Sequence, residues 1–355
     1  MASADRTAVT APAAPAPPAA RPAGGGPPRL RLQRVAPFVP GTTVAIGDLR
    51  DRLGLTRAEV RLFTGFLGLD RVPMAEGMTG LDMLLRAGEA VLDGADRDRV
   101  RHLVHPHTLL HIAPPAHRWM ITLREKLRLP AASAFELSHQ NCTSGLFGLR
   151  LLEALLRTDP PGAQGLLLIA DKITSPLAQK IAGTTILGEA AAAVLAGLDG
   201  PGDEVIGQAH RTLGEYHASL DMPADLRRHY SQLYLPTMLE VLQEAVADAG
   251  LTLGEVDRIL PHNVNRHSWV KAAQQLGLPT ERFYLENVPR TGHCFGADPF
   301  VNLVSARAES AVRPGDAVAL LSAGSSGTFS AVLLRLDDLP ARAGVGTPTP
   351  CTEGD

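Results

Sequence analysis

The chain contains the sequence Asn141-Cys142-Thr143-Ser144-Gly145-Leu146-Phe147-Gly148-Leu149, which lies between two segments of different periodicity. Residues 134–139 alternate between apolar and polar side chains, which predicts a strand. Residues 151–156 are almost entirely apolar, which predicts a buried helix. A strand that turns sharply into a helix exposes the turn residue and leaves its backbone N–H unpaired. The sequence therefore predicts Cys142 at the head of a buried helix.

Cys142 at this position is predicted to be a nucleophile. The positive end of a helix dipole stabilises a thiolate, which is the reactive form of cysteine. Such a thiol is suited to carrying an acyl group. The alternative interpretation is a buried cysteine that only packs, which is the commoner role of this residue type and our interpretation of Cys294.

Length and composition exclude several classes of protein. A chain of 355 residues that is 45% hydrophobic can bury one large core or two fused cores. The net charge of −3 and the lack of a basic stripe argue against a nucleic-acid partner. No apolar run reaches the roughly 20 residues that span a membrane. Because Cys142, Cys294 and Cys351 are widely spaced, we expect neither disulfides nor a zinc site. We therefore expect the protein to be located in a reducing cytoplasm.

A weak internal repeat divides the chain into two similar parts. Each part contains a helix and a strand, then a Leu-x-Leu-Pro segment that leads into a further predicted strand and a turn, and then a pair of apolar strands. The corresponding segments are 84–108 and 238–265, 127–148 and 276–295, and 165–195 and 317–334. Within the segment 276–295, the strand is predicted at 282–287.

Two fused halves of α/β architecture are expected at residues 30–200 and 201–340. Strands as continuously apolar as these are buried on both faces, which is typical of layered α/β proteins. Residues 1–29, rich in Ala, Pro and Gly, and the tail 341–355 are expected to be disordered. The link at about 201–236 is expected to be less regular than the two halves and to cap the substrate entrance.

Corresponding turns of the two halves are predicted to converge, because α/β folds place active groups at the carboxyl ends of strands. The first half contributes Cys142, and the second half contributes His262 and His293. Asn263 and Asn265 flank His262 in the sequence and are expected to support an organised polar site.

Over about residues 30–336 the chain resembles the ketoacyl-acyl-carrier-protein synthase III branch of the thiolase superfamily. The matching segments follow the order and spacing of that family, and residues 261–265 resemble its His-Gln-Ala-Asn stretch. The other segments are 134–148, 165–195 and 312–329. This resemblance implies a thiolase-like five-layered αβαβα fold made of two fused pseudo-symmetric halves.

The resemblance also implies an acyl-transferring enzyme that needs no metal and no cofactor beyond its thioester substrate. Cys142 would take an acyl group from acyl-CoA or an acyl carrier protein, and His262 would hydrogen-bond the carbonyl of an acceptor thioester. Backbone N–H groups of Cys142 and Ser326 would form the oxyanion hole. The acceptor would be a small molecule or carrier-bound, and the protein a homodimer.

One departure from the family concerns His293, which stands where the family has an asparagine. The surrounding Gly-His turn resembles that of the elongating ketoacyl synthases, which use a Cys-His-His site. An imidazole can donate a hydrogen bond to an enolate much as an amide can. Our principal prediction is therefore decarboxylative Claisen condensation with a malonyl-type thioester at Cys142, His262 and His293.

Asp298, five residues after His293, supports an alternative prediction. A carboxylate at this position can orient an imidazole and raise its pKa, which makes the imidazole a general base. Such a base suits O- or N-acyl transfer to a hydroxyl or amine without condensation. A helix cap or an ion pair is the alternative interpretation of Asp298. A third hypothesis, a catalytically silent partner subunit, conflicts with the presence of Cys142.

The departures from the family, together with the Pro/Ala-rich start, favour secondary metabolism of the polyketide type, and the acyl donor and acceptor stay open.

Two other motifs are given no chemical role. His105, His107, His111 and His117 lack an accompanying carboxylate or cysteine, so we prefer a lining or surface role to a metal site. The glycine-rich residues 324–327 lack the lysine of a phosphate loop and are expected to form a tight turn near the thioester.

Overall fold

The computed structural model describes residues 28–109 and 118–339. Our predictions for the two tails, Cys351, His111 and His117 therefore lie outside the described residues, apart from the last two positions of the first tail. Of these two, Arg29 is already tied to the fold, because its guanidinium donates to the carbonyl of Ile206.

Strands and helices alternate through both parts of the chain. The strands are β1 (Arg31–Phe38), β2 (Thr43–Ala45), β3 (Arg71–Pro73), β4 (Val100–Pro106), β5 (Ser133–Leu137), β6 (Gln164–Ala170), β7 (Lys180–Ile181), β8 (Thr185–Ile186), β9 (Ala191–Gly197), β10 (Asp203–Thr212), β11 (Arg258–Pro261), β12 (Ala317–Gly324) and β13 (Thr328–Arg335). The helices are α1 (Arg57–Arg61), α2 (Gly80–Leu92), α3 (Trp119–Lys126), α4 (Ser144–Leu156), α5 (Ala224–Asp248), α6 (Arg266–Leu276), α7 (Val288–Thr291) and α8 (Asp298–Ala308). No helix in these two ranges is long and apolar enough to cross a membrane.

The main sheet repeats one strand pattern twice. Its order is β11-β12-β13-β10-β1-β9-β6-β4-β5. In the first half β4 is parallel to β5 and β6, and β9 runs antiparallel to β6 and β1. In the second half β11 is parallel to β12, and β13 runs antiparallel to β12 and β10. Thus β10, β13, β12 and β11 correspond to β1, β9, β6 and β4. This repetition confirms the two fused pseudo-symmetric halves.

Helices cover both half-sheets and fill the space between them. Because successive strand residues point to opposite faces, Leu168 of β6 packs with α2 and α3 while Leu167 packs with α4 and α8. In the same way Leu320 of β12 faces α4 and α8, whereas Leu321 faces α5 and α6. The order of layers is therefore helix, sheet, helix, sheet, helix, as the thiolase-like prediction requires.

Two local predictions are wrong. The link at 201–236 is not irregular, because it contains the sheet strand β10 and the first half of α5. The first half of α5 lacks apolar periodicity and contains Pro236, so the pattern predicted a helix only from Met238 onward. The strand predicted at 282–287 is reduced to one bridge between Ile259 and Phe283. A 3-10 turn at Thr280–Arg282 precedes this bridge, and a turn at residues 286–287 leads from it into helix α7.

The first turn of α4 approaches the backbone of the second half very closely. A Cβ atom placed on Gly145 would lie 2.7 Å from the carbonyl oxygen of Gly296. Gly296 belongs to the short turn between His293 and α8. This approach sets the distance between the segment that carries Cys142 and the segment that carries His293.

We expect Gly145→Ala to destabilise the protein, although alanine normally favours a helix. The added methyl group would force the two backbones apart, at a cost of about 1–3 kcal/mol in the free energy of unfolding. Urea unfolding measures this cost. Gly80→Ala at the start of α2 is the control, because its Cβ would be 3.6 Å from the Cβ of Lys172, an ordinary contact. Equal stabilities of Gly145→Ala and the unchanged protein would contradict the close approach.

Candidate active site

Cys142 lies in a 3-10 turn, Asn141–Thr143, that leads directly into α4. Its side chain is 8% exposed. The hydroxyl of Ser322 on β12 donates to the Cys142 carbonyl over 2.8 Å, so the second half holds this turn in place. The predicted position of the thiol, at the head of a largely buried helix, is confirmed.

His293 and Asp298 continue from Cys142 as a chain of polar contacts. The Sγ atom of Cys142 is 3.1 Å from Nε2 of His293, and Nδ1 of His293 is 2.5 Å from Oδ2 of Asp298. All three side chains are buried. A thiol, an imidazole and a carboxylate follow one another in this order in catalytic triads, in which the imidazole exchanges protons with the nucleophile and the carboxylate orients the ring.

Asp298 is held by backbone groups as well as by His293. It is the first residue of α8, and its carboxylate accepts N–H groups from Cys294 at 2.8 Å and from Asn263 at 2.6 Å. The N-terminal end of a helix also favours a negative charge. Asp298 therefore contacts the imidazole and at the same time ties the end of β11 to the start of α8.

The two imidazoles of the site have opposite pKa shifts. Burial by itself lowers the pKa of His293, but the charges of Cys142 and Asp298 outweigh burial and raise the pKa to about 10. Burial lowers the pKa of His262 well below its usual value, and the neighbouring His293 lowers it further. His293 therefore keeps a proton beside Cys142 at neutral pH, while His262 stays neutral.

His262 lies beside His293, with 5.3 Å between the ring centroids. It directly follows β11, and its ring packs edge-on against Trp269 at a centroid distance of 5.1 Å. The backbone N–H of Ala323 donates to its Nδ1 atom over 3.4 Å. The structure therefore brings Cys142, His262 and His293 together, as the repeat predicted.

Tyr234 also lies at the site, although the sequence did not predict it there. Its hydroxyl group lies 3.2 Å from Nε2 of His262. Tyr234 belongs to the part of α5 that was not predicted as a helix. The available signal was the spacing of Tyr230 and Tyr234, which places two aromatic side chains on one helical face.

Asn263 and Asn265 support the backbone and do not reach the thiol through any described hydrogen bond. The amide of Asn263 donates to Asn302 and to the hydroxyl of Thr291. Asn265 caps α6 by accepting the N–H of Ser268 over 2.8 Å. Both residues thus fix the loop that carries His262.

The turn between β12 and β13 lies against the Cys142 turn. The amide of Asn141 donates to the hydroxyl of Ser325 over 2.9 Å, and the hydroxyl of Thr328 donates to the carbonyl of Gln140 over 3.0 Å. Ser326 is in the same turn and is buried. The oxyanion hole formed by the backbone of Cys142 and Ser326 stays a prediction.

An apolar wall surrounds the thiol. It consists of side chains from four separate segments that pack with Cys142, namely Leu109, Ile173, Ile181, Leu187 and Phe295. Such a surface suits a hydrocarbon chain bound next to the sulfur.

Among residues 28–109 and 118–339, no group of three His, Cys, Asp or Glu side chains could hold a metal ion. His105 and His107 stack with ring centroids 5.1 Å apart, and each ring contacts a backbone carbonyl through Nδ1.

Cys294 is buried and contacts the carbonyl of Thr291, and burial raises its pKa well above the usual value. These observations agree with a packing role for Cys294.

Comparison with known proteins indicates the family of the chain. A family model described as 3-oxoacyl-[acyl-carrier-protein] synthase III C-terminal matches residues 246–336. The β-ketoacyl-[acyl-carrier-protein] synthase III 2 of Streptomyces coelicolor is 29% identical over 318 residues, which cover 83% of this chain and 90% of that protein. This chain is a ketoacyl-acyl-carrier-protein synthase III-like member of the thiolase superfamily. As such, it is an acyl-transferring enzyme.

Solved structures share the fold of this synthase III-like enzyme at low sequence identity. ChlB3, described as an acyltransferase, is 21% identical with a TM-score of 0.78, and the match covers 89% of this chain and 99% of that one. The priming β-ketosynthase of the R1128 polyketide biosynthetic pathway is 20% identical with a TM-score of 0.72. That match covers 90% of this chain and all of the other, at 100%.

We expect Asp298→Asn to reduce the alkylation of Cys142 by iodoacetamide at neutral pH. Loss of the carboxylate charge lowers the pKa of His293 from about 10, so the imidazolium that pairs with the thiolate is retained less well as the pH rises. The pH at half-maximal alkylation should therefore move upward. Mass spectrometry of the Cys142 peptide across pH measures both effects.

The matched control for this variant is Asp159→Asn. Asp159 forms the comparable aspartate–histidine contact with His102, at 2.6 Å, on a different part of the structure. It should leave the alkylation profile of Cys142 unchanged. An unchanged profile in Asp298→Asn would show that the carboxylate does not act on the thiol through His293.

Proposed function

We propose that this enzyme carries an acyl group on Cys142 and transfers it to the hydroxyl or amine of an acceptor. The observation that carries the proposal is the place of His293, which contacts Cys142 through Nε2 at 3.1 Å and Asp298 through Nδ1 at 2.5 Å. The proposed catalytic residues are Cys142 and His293, with Asp298 as the positioning residue.

In the first half-reaction the Cys142 thiolate attacks the carbonyl carbon of an acyl thioester. A new carbon–sulfur bond forms, and the carbonyl oxygen becomes negative in an oxyanion hole formed by the N–H groups of Cys142 and Ser326. The bond to the donor sulfur then breaks. The departing thiolate takes the Nε2 proton of His293, which leaves acyl-Cys142 and a neutral imidazole.

In the second half-reaction the neutral His293 acts as the general base. Asp298 accepts a hydrogen bond from the Nδ1–H group, so the lone pair of Nε2 faces the site and takes a proton from the acceptor hydroxyl or amine. The acceptor oxygen or nitrogen attacks the acyl carbon, and the bond to Cys142 breaks. The thiolate and imidazolium pair is thereby restored.

The same contact disfavours condensation. A decarboxylating malonyl thioester develops an enolate oxygen that needs hydrogen-bond donors. A neutral His293 whose single proton is held by Asp298 presents an acceptor at Nε2, whereas the asparagine of the family would present an N–H donor. The structure of the triad therefore favours the acyltransferase prediction over our principal prediction of condensation.

Decarboxylative condensation is the second candidate, because His262 favours it. A neutral His262 that accepts an N–H at Nδ1 carries its proton on Nε2 and can donate to a thioester carbonyl. Relatives support both candidates, since ChlB3 is described as an acyltransferase and the R1128 protein as a priming β-ketosynthase. A polyketide-type secondary pathway is part of this proposal.

The acyl donor is proposed to be acyl-CoA or an acyl carrier protein, and the apolar wall beside Cys142 is proposed to hold the acyl chain. The relative from Streptomyces coelicolor is named as a β-ketoacyl-acyl-carrier-protein synthase. A homodimer also belongs to the proposal, by resemblance to the family.

We expect His293→Asn to slow acyl transfer to the acceptor far more than acyl loading. Removal of a general base costs about 10²- to 10⁴-fold in rate, while the head of α4 still favours a thiolate at Cys142. The enzyme is first loaded with acetyl-, butyryl- or benzoyl-CoA, and the mass added to Cys142 is measured. The loss of this mass is then followed with ethanolamine and glycerol as acceptor probes.

Cys142→Ala is the control and should acquire no acyl mass. The proposal predicts no carbon dioxide from malonyl-CoA at the rate of acyl loading. Carbon dioxide release by the unchanged enzyme at that rate, or equal transfer rates for His293→Asn and the unchanged enzyme, would favour condensation instead.

A further inference from the structure

The hydroxyl of Tyr234 forms a hydrogen bond with Nε2 of His262. The distance between this oxygen and Nε2 is 3.2 Å. Tyr234 reaches the site from α5, where its ring packs edge-on against Tyr230 and tilted against Phe329, at centroid distances of 5.8 and 5.9 Å. The side chain is half-buried, so one part of it faces the interior beside His262.

The direction of this hydrogen bond follows from the other side of the imidazole. The backbone N–H of Ala323 donates to Nδ1 of His262, which makes Nδ1 an acceptor. A buried, neutral imidazole carries one proton, so the proton is on Nε2. His262 therefore donates to the oxygen of Tyr234.

This N–H is the group that a condensing enzyme would offer to the carbonyl of a malonyl-type thioester. A carbonyl oxygen can reach it only by displacing the phenol oxygen from the proton. Decarboxylation would then start from a site whose available donor is already used.

We propose that Tyr234 is a specificity-determining residue that caps His262 and suppresses decarboxylation, so that the enzyme keeps its acyl group for transfer to an oxygen or nitrogen acceptor. This inference rests on the proposed acyltransferase function and deepens it. It assigns the choice of reaction to two independent features, the Asp298-bound His293 and the Tyr234-bound His262.

The suppressed reaction can be written with malonyl-CoA as the probe. The bond between C2 and the carboxylate carbon breaks, carbon dioxide leaves, and the electron pair forms an enolate whose negative oxygen needs donors. The enolate carbon then takes a proton from water to give acetyl-CoA. No oxidant or reductant takes part.

The test uses His293→Asn as the background, because this substitution supplies an amide donor in place of the His293 acceptor. Acetyl-CoA formed from malonyl-CoA is compared in His293→Asn, in His293→Asn with Tyr234→Phe, and in His293→Asn with Tyr230→Phe. Tyr230→Phe is the matched control, because the Tyr230 hydroxyl, on the same helix, donates to the carbonyl of Gly324 and not to His262. Rates are normalised to the fraction of Cys142 that iodoacetamide labels.

The proposal expects Tyr234→Phe to increase acetyl-CoA formation about tenfold or more over His293→Asn alone, as the loss of one competing hydrogen bond permits. Tyr230→Phe should give no increase. Equal rates with and without Tyr234→Phe would overturn the inference and leave the proposed acyltransferase intact. Rapid release of carbon dioxide by the unchanged enzyme would instead contradict the acyltransferase itself.

A second measurement does not depend on the double variants. In the ¹⁵N spectrum of histidine-labelled enzyme, His262 should show a proton on Nε2, and its chemical shift should change in Tyr234→Phe. A His262 that is protonated on Nδ1, or a shift that is unaffected by Tyr234→Phe, would overturn the inference.

Discussion

The buried carboxylate of Asp298 is the constraint on which the second half of the site depends. It accepts N–H groups from His293, Cys294 and Asn263, and it lies at the first residue of α8. A buried charge without partners is strongly unfavourable, so these donors and this carboxylate require one another. The imidazole of His293 is therefore oriented by the same contacts that fix the backbone on both sides of it.

The electrostatics of the site separate two histidines that are only 5.3 Å apart between ring centroids. His293 lies between two acidic groups, which together outweigh its burial and raise its pKa. Burial and the neighbouring His293 both lower the pKa of His262. His262 therefore stays neutral, with its N–H donor on Nε2. Groups of one type whose environments move their pKa values apart take different chemical roles.

The sequence predicted those parts of the fold whose patterns are local. The strands β6, β9, β12 and β13 are continuously apolar because both their faces are covered, and the turn at Cys142 separates two different periodicities. The convergence of Cys142, His262 and His293 followed from the internal repeat, since equivalent turns of two similar halves meet.

The parts that sequence could not predict depend on contacts between distant segments. The first half of α5 is polar and contains Pro236, and it packs on the fold through the rings of Tyr230 and Tyr234, which contact Phe329 of β13. Tyr234 acquires its role only through the distance to His262 in the folded chain. The missing strand at 282–287 shows that the second half kept the order of the first but not all of its length.

The layer of α4 and α8 between the two half-sheets also determines when the site around Cys142 is completed during synthesis. The carbonyl of Cys142 is bound by Ser322 of β12, and its sulfur contacts His293, so both partners leave the ribosome long after the cysteine does. α4 and α8 pack together between the two half-sheets, so this layer is complete only after α8 and the last strands have been made. A nascent chain therefore lacks the contacts of Cys142 with His293 and Ser322, and the complete site appears only when nearly the whole polypeptide has been made.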